Sequence, residues 1–253
     1  MEFLISLAPL GLILCAGIFV QAAAGFAAGL FIIPSLLWFG YQIPEAQASL
    51  LVATIPQNIW GIWSLRDSIS VKAVAWPATA RVLFLPLGAS ILVGLESFPE
   101  ARVRQVVGAV VLTITVAIMV FRPQPRPRLH PIWAFIAFPL SGFFQGLVGM
   151  GGPAMVFWVQ AHDWNTRRMR GFMFAMYLIS ITPAMLILYF FFGDRIIQPS
   201  LVAATMVPML VLVTGLGLKF GSWLGRVRLR RVTLGLLLLM GLAGLAAPLL
   251  SPS

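Results

Sequence analysis

Charge is the scarcest property of this sequence. Only 9% of its 253 residues are Asp, Glu, Lys or Arg, whereas 60% are hydrophobic, and the mean hydropathy is +0.98. Because about a quarter of the residues in a soluble domain are charged, water is not the solvent for most of this surface. There is one cysteine, Cys15, inside an apolar stretch, so no disulfide framework is available.

Several kinds of chemistry lack the residues that they need. The sequence has no Gly-Lys-Ser/Thr loop to bind nucleotide phosphates and no cluster of His and Cys to bind a metal. We therefore expect neither direct ATP coupling nor a cofactor, and we predict that the chain is not an enzyme. An intramembrane carboxylate that could carry protons is also missing. All seven carboxylates lie at the ends of apolar segments: Glu2, Glu45, Asp67, Glu96, Glu100, Asp163 and Asp194.

The positive charge does not indicate a nucleic-acid-binding protein. The formal net charge is +10, but the basic residues fall in short clusters between apolar stretches, which leaves no domain to hold a duplex. These clusters instead fit the enrichment of Lys and Arg in the cytoplasmic loops of membrane proteins. The partners that we expect are the lipid bilayer and a small anionic substrate, while a homo-oligomer stays an open alternative.

Long apolar stretches predict a helical membrane protein. A spanning helix needs about 20 apolar residues, and two of the stretches are shorter and follow glycine clusters, so we expect half-helices or strongly tilted ones there. Apolar runs of this length exclude a transmembrane barrel. The predicted fold is therefore an all-α polytopic membrane protein. The ten predicted segments are 3–23, 26–40 (short), 46–65, 73–95, 103–121, 131–148, 150–161 (short), 168–192, 197–223 and 232–250.

The distribution of Lys and Arg predicts the orientation of these segments. Twelve lie in four alternate connections, 66–72, 122–130, 163–170 and 226–231, whereas the opposite loops hold only Arg102, Arg104 and Arg195. Placing the basic connections in the cytoplasm of a bacterial inner membrane puts both termini in the periplasm. The first half then begins outside and the second half inside, which is an inverted repeat of about five segments each. We assign residues 1–122 to the first repeat, 123–130 to a basic cytoplasmic linker and 131–253 to the second repeat.

Similar letters recur in the two halves. Gln21-Ala-Ala-Ala-Gly25-Phe-Ala-Ala matches Gln145-Gly-Leu-Val-Gly149-Met-Gly-Gly at an offset of 124. Two further matches have an offset of 127: Pro56 with Pro183, each expected to interrupt a long helix, and Gly88-x5-Gly94 with Gly215-x5-Gly221. Inverted repeats with broken helices place their substrate near the midplane, where the halves meet.

These motifs resemble the TauE/SafE sulfite-exporter permeases. The stretch Gly142-Phe-Phe-Gln-Gly-Leu-Val-Gly149-Met-Gly-Gly152 is similar to the family's pattern, as is Arg170-Gly171 at the start of the following helix. The first half departs from the pattern, because Ala27 and Ala28 stand where the family usually has glycines. The resemblance implies transport of small sulfur-containing or carboxylated anions, such as sulfite, sulfonates and sulfoacetate.

Arg81 is the most informative candidate. It lies eight residues into the segment 73–95, or about 12 Å deep at 1.5 Å per residue. A charge at that depth costs several kcal/mol unless it faces a cavity or a partner. No carboxylate is available there, and the forked donors of an unpaired arginine suit an anion. The alternative is that Arg81 extends to the cytoplasmic interface or binds the carbonyls of a broken helix; Pro77 and Pro86 flank it and are expected to open the helix locally.

The other candidates are polar groups and glycines near the predicted helix breaks. Amides donate and accept, and helix N-termini attract anions, but each of these residues has a structural alternative, such as hydrogen bonding between helices or close packing. Arg170 is placed in the inner vestibule because it is the deepest of its cluster. The full set of candidates beside Arg81 is Gln21, Gln145, Gly25, Gly149, Gly151, Gly152, Gln57, Asn58, Thr182 and Arg170.

The sequence thus favours a secondary carrier that moves a small anion by alternating access. An anion channel, a membrane-embedded subunit without transport activity and a lipid-processing enzyme are the alternatives. The absence of an acid, base or metal set at one membrane level argues against the enzyme.

Overall fold

Every regular element in the described part of the chain is a helix. The computed structural model describes residues 2–24, 27–120, 125–127, 129–224 and 226–250. Three helical stretches in these ranges are long and apolar enough to span a membrane: Lys72–Leu95, Glu100–Val120 and Thr166–Thr205. The helices are α1 (Glu2–Ala24), α2 (Ala28–Trp38), α3 (Ile43–Leu65), α4 (Val71–Leu95), α5 (Glu100–Val120), α6 (Ile132–Val148), α7 (Gly152–Gln160), α8 (Thr166–Phe192), α9 (Ile197–Thr205), α10 (Val207–Leu224), α11 (Arg226–Leu245) and α12 (Ala247–Leu250).

The two short segments are half-helices, as the sequence predicts. Helix α2 has 11 residues and α7 has 9, so at 1.5 Å per residue they are about 16 Å and 14 Å long. Each is therefore about half the thickness of the hydrocarbon core of a bilayer. Helices α1 and α6 end shortly before them, so both halves contain a long helix, a break and a half-helix in that order.

The expectation that Pro56 and Pro183 interrupt their long helices is wrong. Pro56 lies inside α3, Pro183 inside α8, and both Pro77 and Pro86 inside α4, and all three helices continue past them. A proline removes one backbone hydrogen bond, but packed neighbouring helices hold the chain in register. The ninth predicted segment is instead divided at Met206, between α9 and α10.

Equivalent helices of the two halves run in opposite directions. Helix α3 packs on α8 with Gly61 against Phe174 and Leu65 against Gly171, so residue numbers rise along one helix as they fall along the other. Helix α5 packs on α11 in the same antiparallel manner, with Gly108 against Gly244. A repeat whose halves have opposite orientations in the membrane requires this relation.

Two further helix pairs also join the two halves. Helix α4 packs parallel to α6, and α10 packs parallel to α1. A methyl group added at Gly88 would meet the Phe143 carbonyl, and one added at Gly217 would meet the Phe19 carbonyl. Because Phe19 and Phe143 differ by 124, Gly88 corresponds to Gly217, an offset of 129. The match of Gly88 with Gly215 at 127 is therefore wrong, and Leu210 is the residue equivalent to Arg81.

Candidate functional site

Arg81 is fully buried in the middle of α4, with 1% of its surface exposed. Its Nη2 donates to Gln145 Oε1 at 3.1 Å, and its Nη1 donates to the Met155 sulfur at 2.8 Å. The guanidinium carbon lies 5.5 Å from the centre of the Tyr177 ring. All of these partners are neutral, and Nε has no hydrogen-bond partner among the described residues. Within the part of the chain that the structure describes, the positive charge of Arg81 therefore has no counter-ion.

The carboxylates of the described chain that form ion pairs lie elsewhere. The pairs join Arg66 to Asp67, Arg104 to Glu100 and Arg195 to Glu96. These residues lie at the ends of helices, where the sequence places the carboxylates. The alternative, in which Arg81 extends to the cytoplasmic interface, is not observed, because its side chain is enclosed between α6, α7 and α8.

Glycines on α6 fix the position of Arg81. A methyl group added at Gly142 would meet the backbone carbonyl of Arg81, and one added at Gly146 would meet the carbonyl of Leu85. The i and i+4 spacing of the two glycines lets the backbones of α4 and α6 approach closely. The Arg81 backbone is thus held directly against α6, and its side chain reaches Gln145 on the same helix.

The break between α6 and α7 brings backbone amides to the same place. Gly149 ends α6 in the left-handed region at φ 71°, which favours glycine. The Gly151 N–H donates to Gln145 Oε1 at 3.4 Å, and Ser141 Oγ donates to the Gly151 carbonyl at 2.6 Å. Helix α7 begins at Gly152, so its positive N-terminal end lies beside the Arg81 guanidinium. A broken helix, as predicted from the glycines, is confirmed here.

In the first half, an alanine occupies a position that favours glycine. Ala27, which precedes α2, has φ 92° and is the only non-glycine residue with positive φ in the described part of the chain. A side chain in this region costs about 1–2 kcal/mol. We predict that Ala27→Gly raises the free energy of unfolding by about 1 kcal/mol, since Gly adopts this φ without strain. Thermal unfolding of the purified protein in detergent measures the effect.

Ala28→Gly is the matched control, because Ala28 is the first residue of α2 and glycine disfavours helices. We expect it to leave the melting temperature unchanged or lower it. Equal destabilisation by both changes would contradict the strain at Ala27.

A small cavity of about 50 Å³ lies between the two helix breaks. It is large enough for a few water molecules. The polar part of its wall carries Arg81, Gln145, Gln21, Tyr177 and Ser180, while leucine and isoleucine side chains from α2, α3 and α8 form the apolar part. The complete lining is Gln21, Ala27, Ala28, Gly29, Leu30, Leu50, Leu51, Thr54, Arg81, Gln145, Gly149, Met150, Gly152, Pro153, Tyr177, Ser180 and Ile181.

The structure brings five of the predicted residues to this cavity: Arg81, Gln21, Gln145, Gly149 and Gly152. Gly151 lies directly behind it, where a methyl group would be 3.1 Å from Arg81 Nη2. Gly25 lies outside the described residues.

Four other predicted residues do not line the cavity. Gln57 and Asn58 are buried in α3, one turn beyond the lining residue Thr54. Thr182 is exposed, because it projects from the opposite side of α8 to the lining residues Ser180 and Ile181. Arg170 is half-exposed in the second turn of α8, far along that helix from Tyr177.

The sequence reasoning missed Tyr177, Ser180 and Thr54. Tyr177 and Ser180 are three residues apart, so they share one face of α8, and this polar spacing in an apolar helix was a usable signal. The Tyr177 hydroxyl lies so close to Gly152 that a methyl group there would be 2.6 Å from it. Tyr177 therefore contacts two parts of the site. Its hydroxyl lies against the start of α7, and its ring faces the Arg81 guanidinium.

A sequence model of the family described as "Sulfite exporter TauE/SafE" matches residues 10–244. The chain belongs to the TauE/SafE sulfite exporter family. It is also 24% identical over 252 residues to a protein of Cupriavidus necator named "Probable sulfite/organosulfonate exporter TauE". That match covers 99% of this chain and 97% of the relative. No solved structure gives a significant match.

Family membership has two consequences for this chain. It is a membrane transporter and not an enzyme, and its helices form an all-α polytopic membrane protein. The cavity at Arg81 is therefore a candidate for the place where a transported ligand binds, since transporters of broken-helix architecture bind their ligands near the midplane.

Proposed function

We propose that this chain is a secondary transporter that binds a small sulfur-containing or organic anion at Arg81 and moves it by alternating access. Sulfite, a sulfonate and sulfoacetate are the substrates that fit the proposal, and the relative from C. necator is named for sulfite and organosulfonates. The observation that carries the proposal is the uncompensated charge of Arg81 inside the cavity between the helix breaks.

An anion is the ligand that this charge requires. Burying an ion without a counter-ion is costly, and an oxyanion between the guanidinium and the N-terminus of α7 would offset that cost. Sulfonate, sulfite and carboxylate oxygens accept the paired donors of arginine. The Gln21 and Gln145 amides add neutral donors on the two sides of the cavity.

The apolar part of the wall favours a short organic tail on the anion. Leu50, Leu51 and Ile181 also line the cavity, so a sulfonate head on Arg81 would leave its carbon chain against apolar side chains. The present cavity of about 50 Å³ is small, so binding a sulfonate with several carbons requires the two halves to separate slightly.

The inverted pairing of helices supports alternating access. Helices α3 and α8 cross in opposite directions beside the cavity, so a rocking motion about this crossing opens one side as it closes the other. We place the chain in the bacterial inner membrane with both termini in the periplasm, because the basic connections favour the cytoplasm. In a cell that is negative inside, the membrane potential then drives the anion outward.

A thermal-shift screen of the detergent-solubilised chain tests the proposal. The ligands are sulfite, methanesulfonate, sulfoacetate and acetate, and the neutral isostere methanesulfonamide is the control. An anion present at 100 times its dissociation constant stabilises the folded state by about 2.7 kcal/mol. We expect at least one sulfur anion to raise the melting temperature while methanesulfonamide does not. The absence of a shift with every anion would contradict the proposal.

Flux in proteoliposomes separates a carrier from a channel. A carrier gives saturable uptake that is accelerated by unlabelled anion on the opposite side, because each turnover returns an occupied site. Flux that rises linearly with concentration and shows no counterflow would favour the anion channel.

A further inference from the structure

Two neighbouring amides of α3 are buried without the hydrogen bonds that they need. Asn58 is 0% exposed and Gln57 is 3% exposed. Within the described chain, both amide atoms of Asn58 and the Oε1 of Gln57 have no hydrogen-bond partner. Each unsatisfied buried group costs about 1–3 kcal/mol, and such groups in a native protein call for an explanation.

Nearby hydroxyls show how polar groups in this bundle are normally satisfied. Thr54 Oγ1 donates to the Leu51 carbonyl at 2.9 Å, and Ser180 Oγ donates to the Met176 carbonyl at 2.6 Å. Each hydroxyl thus bonds to its own helix. Among the described residues, both amide atoms of Asn58 and the Oε1 of Gln57 have no such bond, so these atoms are free to bind a ligand.

The two amides lie on the seam between α3 and α8, next to the Arg81 cavity. Asn58 is four residues after Thr54, which lines the cavity, so it is one turn further along the same face. The antiparallel contacts of Gly61 with Phe174 and of Leu65 with Gly171 place Asn58 level with Tyr177. The seam therefore continues from the cavity, past the amides, towards Arg66 at the end that we place in the cytoplasm.

We propose that Gln57 and Asn58 form a second, weaker binding station for the transported anion, on the route between the Arg81 cavity and the cytoplasm. This inference rests on the proposed function. The Asn58 amide nitrogen donates to a sulfite, sulfonate or carboxylate oxygen, and the two amide oxygens accept from the O–H of a protonated oxyanion such as hydrogen sulfite. Neutral amides hold an anion more weakly than Arg81 does, which lets the ligand leave this station quickly.

Asn58→Leu separates the station from a structural role. The substitution keeps the number and branching of the side-chain heavy atoms and removes the unsatisfied amide, so we expect the ligand-free protein to be as stable as wild type or more stable. We expect uptake of labelled sulfite into proteoliposomes to fall about tenfold in maximal rate. The sulfite concentration that gives half of the thermal shift should stay within about twofold of wild type, because Arg81 is untouched. Asn58→Ser, which restores one donor, recovers part of the rate.

Three outcomes are decisive for this inference. Wild-type flux in Asn58→Leu would overturn the station, and so would a fall in melting temperature that matches the loss of flux. Thr115→Val is the control, since Thr115 is equally buried in α5 with its hydroxyl bonded to the Val111 carbonyl, and it should leave the flux unchanged. If wild-type protein shows neither a thermal shift nor flux with sulfite and the other anions, the proposed function is wrong and the station falls with it. A normal thermal shift with unaltered flux in Asn58→Leu refutes only the station.

Discussion

Arg81→Gln should abolish anion binding and transport while leaving the protein folded in the membrane. Each charge-assisted hydrogen bond contributes about 1.5–3 kcal/mol, so the loss of the guanidinium fork lowers affinity by about 100-fold or more. The current partners of Arg81 are neutral, so removing the charge leaves no counter-ion unpaired. We therefore expect the melting temperature without ligand to stay the same or to rise.

Thermal shift and proteoliposome flux, measured on the same preparation, check this prediction. Arg66→Gln is the matched control, because it removes one positive charge from a side chain that is 71% exposed. Arg81→Lys should retain part of the binding, since lysine keeps the charge but loses the fork. Wild-type flux in Arg81→Gln would refute the role that we give to this residue.

Gly142→Ala should have the largest effect on stability. A methyl group at Gly142 would overlap the Arg81 carbonyl, and a backbone atom cannot move aside as a side chain can. Overpacking costs about 1–3 kcal/mol or more. Helices α4 and α6 must therefore separate, which also displaces the Arg81 guanidinium from Gln145. We expect a lower melting temperature together with loss of the ligand-induced shift.

Gly94→Ala is the control on the same pair of helices. Gly94 lies near the end of α4, and an added methyl group there meets nothing within 4 Å. Alanine favours a helix by up to about 1 kcal/mol over glycine, so this change should raise the melting temperature slightly. If both substitutions had the same effect, the close approach of α4 and α6 would not be needed.

The features of the fold that depend on hydropathy and on glycine could be predicted from the sequence. The half-helices α2 and α7 and the burial of Arg81 were predicted and are found, and the predicted residues Gln21 and Gln145 both line the cavity. These succeed because a short apolar stretch after several glycines has few alternatives in lipid. The lack of a carboxylate partner for Arg81 was also predictable, since seven carboxylates at segment ends cannot reach the middle of α4.

Contacts between distant helices could not be predicted in the same way. Pro56 of α3 and Pro183 of α8 were expected to interrupt their helices, but tertiary packing keeps these helices continuous. The correspondence of Gly88 with Gly217 depends on which carbonyl each glycine faces, and a pattern of letters does not carry that information. Tyr177 was overlooked because its role depends on the position of α7, not on its own neighbours in sequence.

The most direct test of the central claim is the position of a bound anion. Selenite is an analogue of sulfite whose selenium scatters anomalously, so a crystal of the full chain soaked or grown with selenite reports where the anion lies. We expect an anomalous peak within hydrogen-bonding distance of the Arg81 guanidinium, between Gln145 and the N-terminus of α7, and no such peak in Arg81→Gln. A peak confined to the exposed arginines at the ends of the helices, with the cavity empty, would contradict the account.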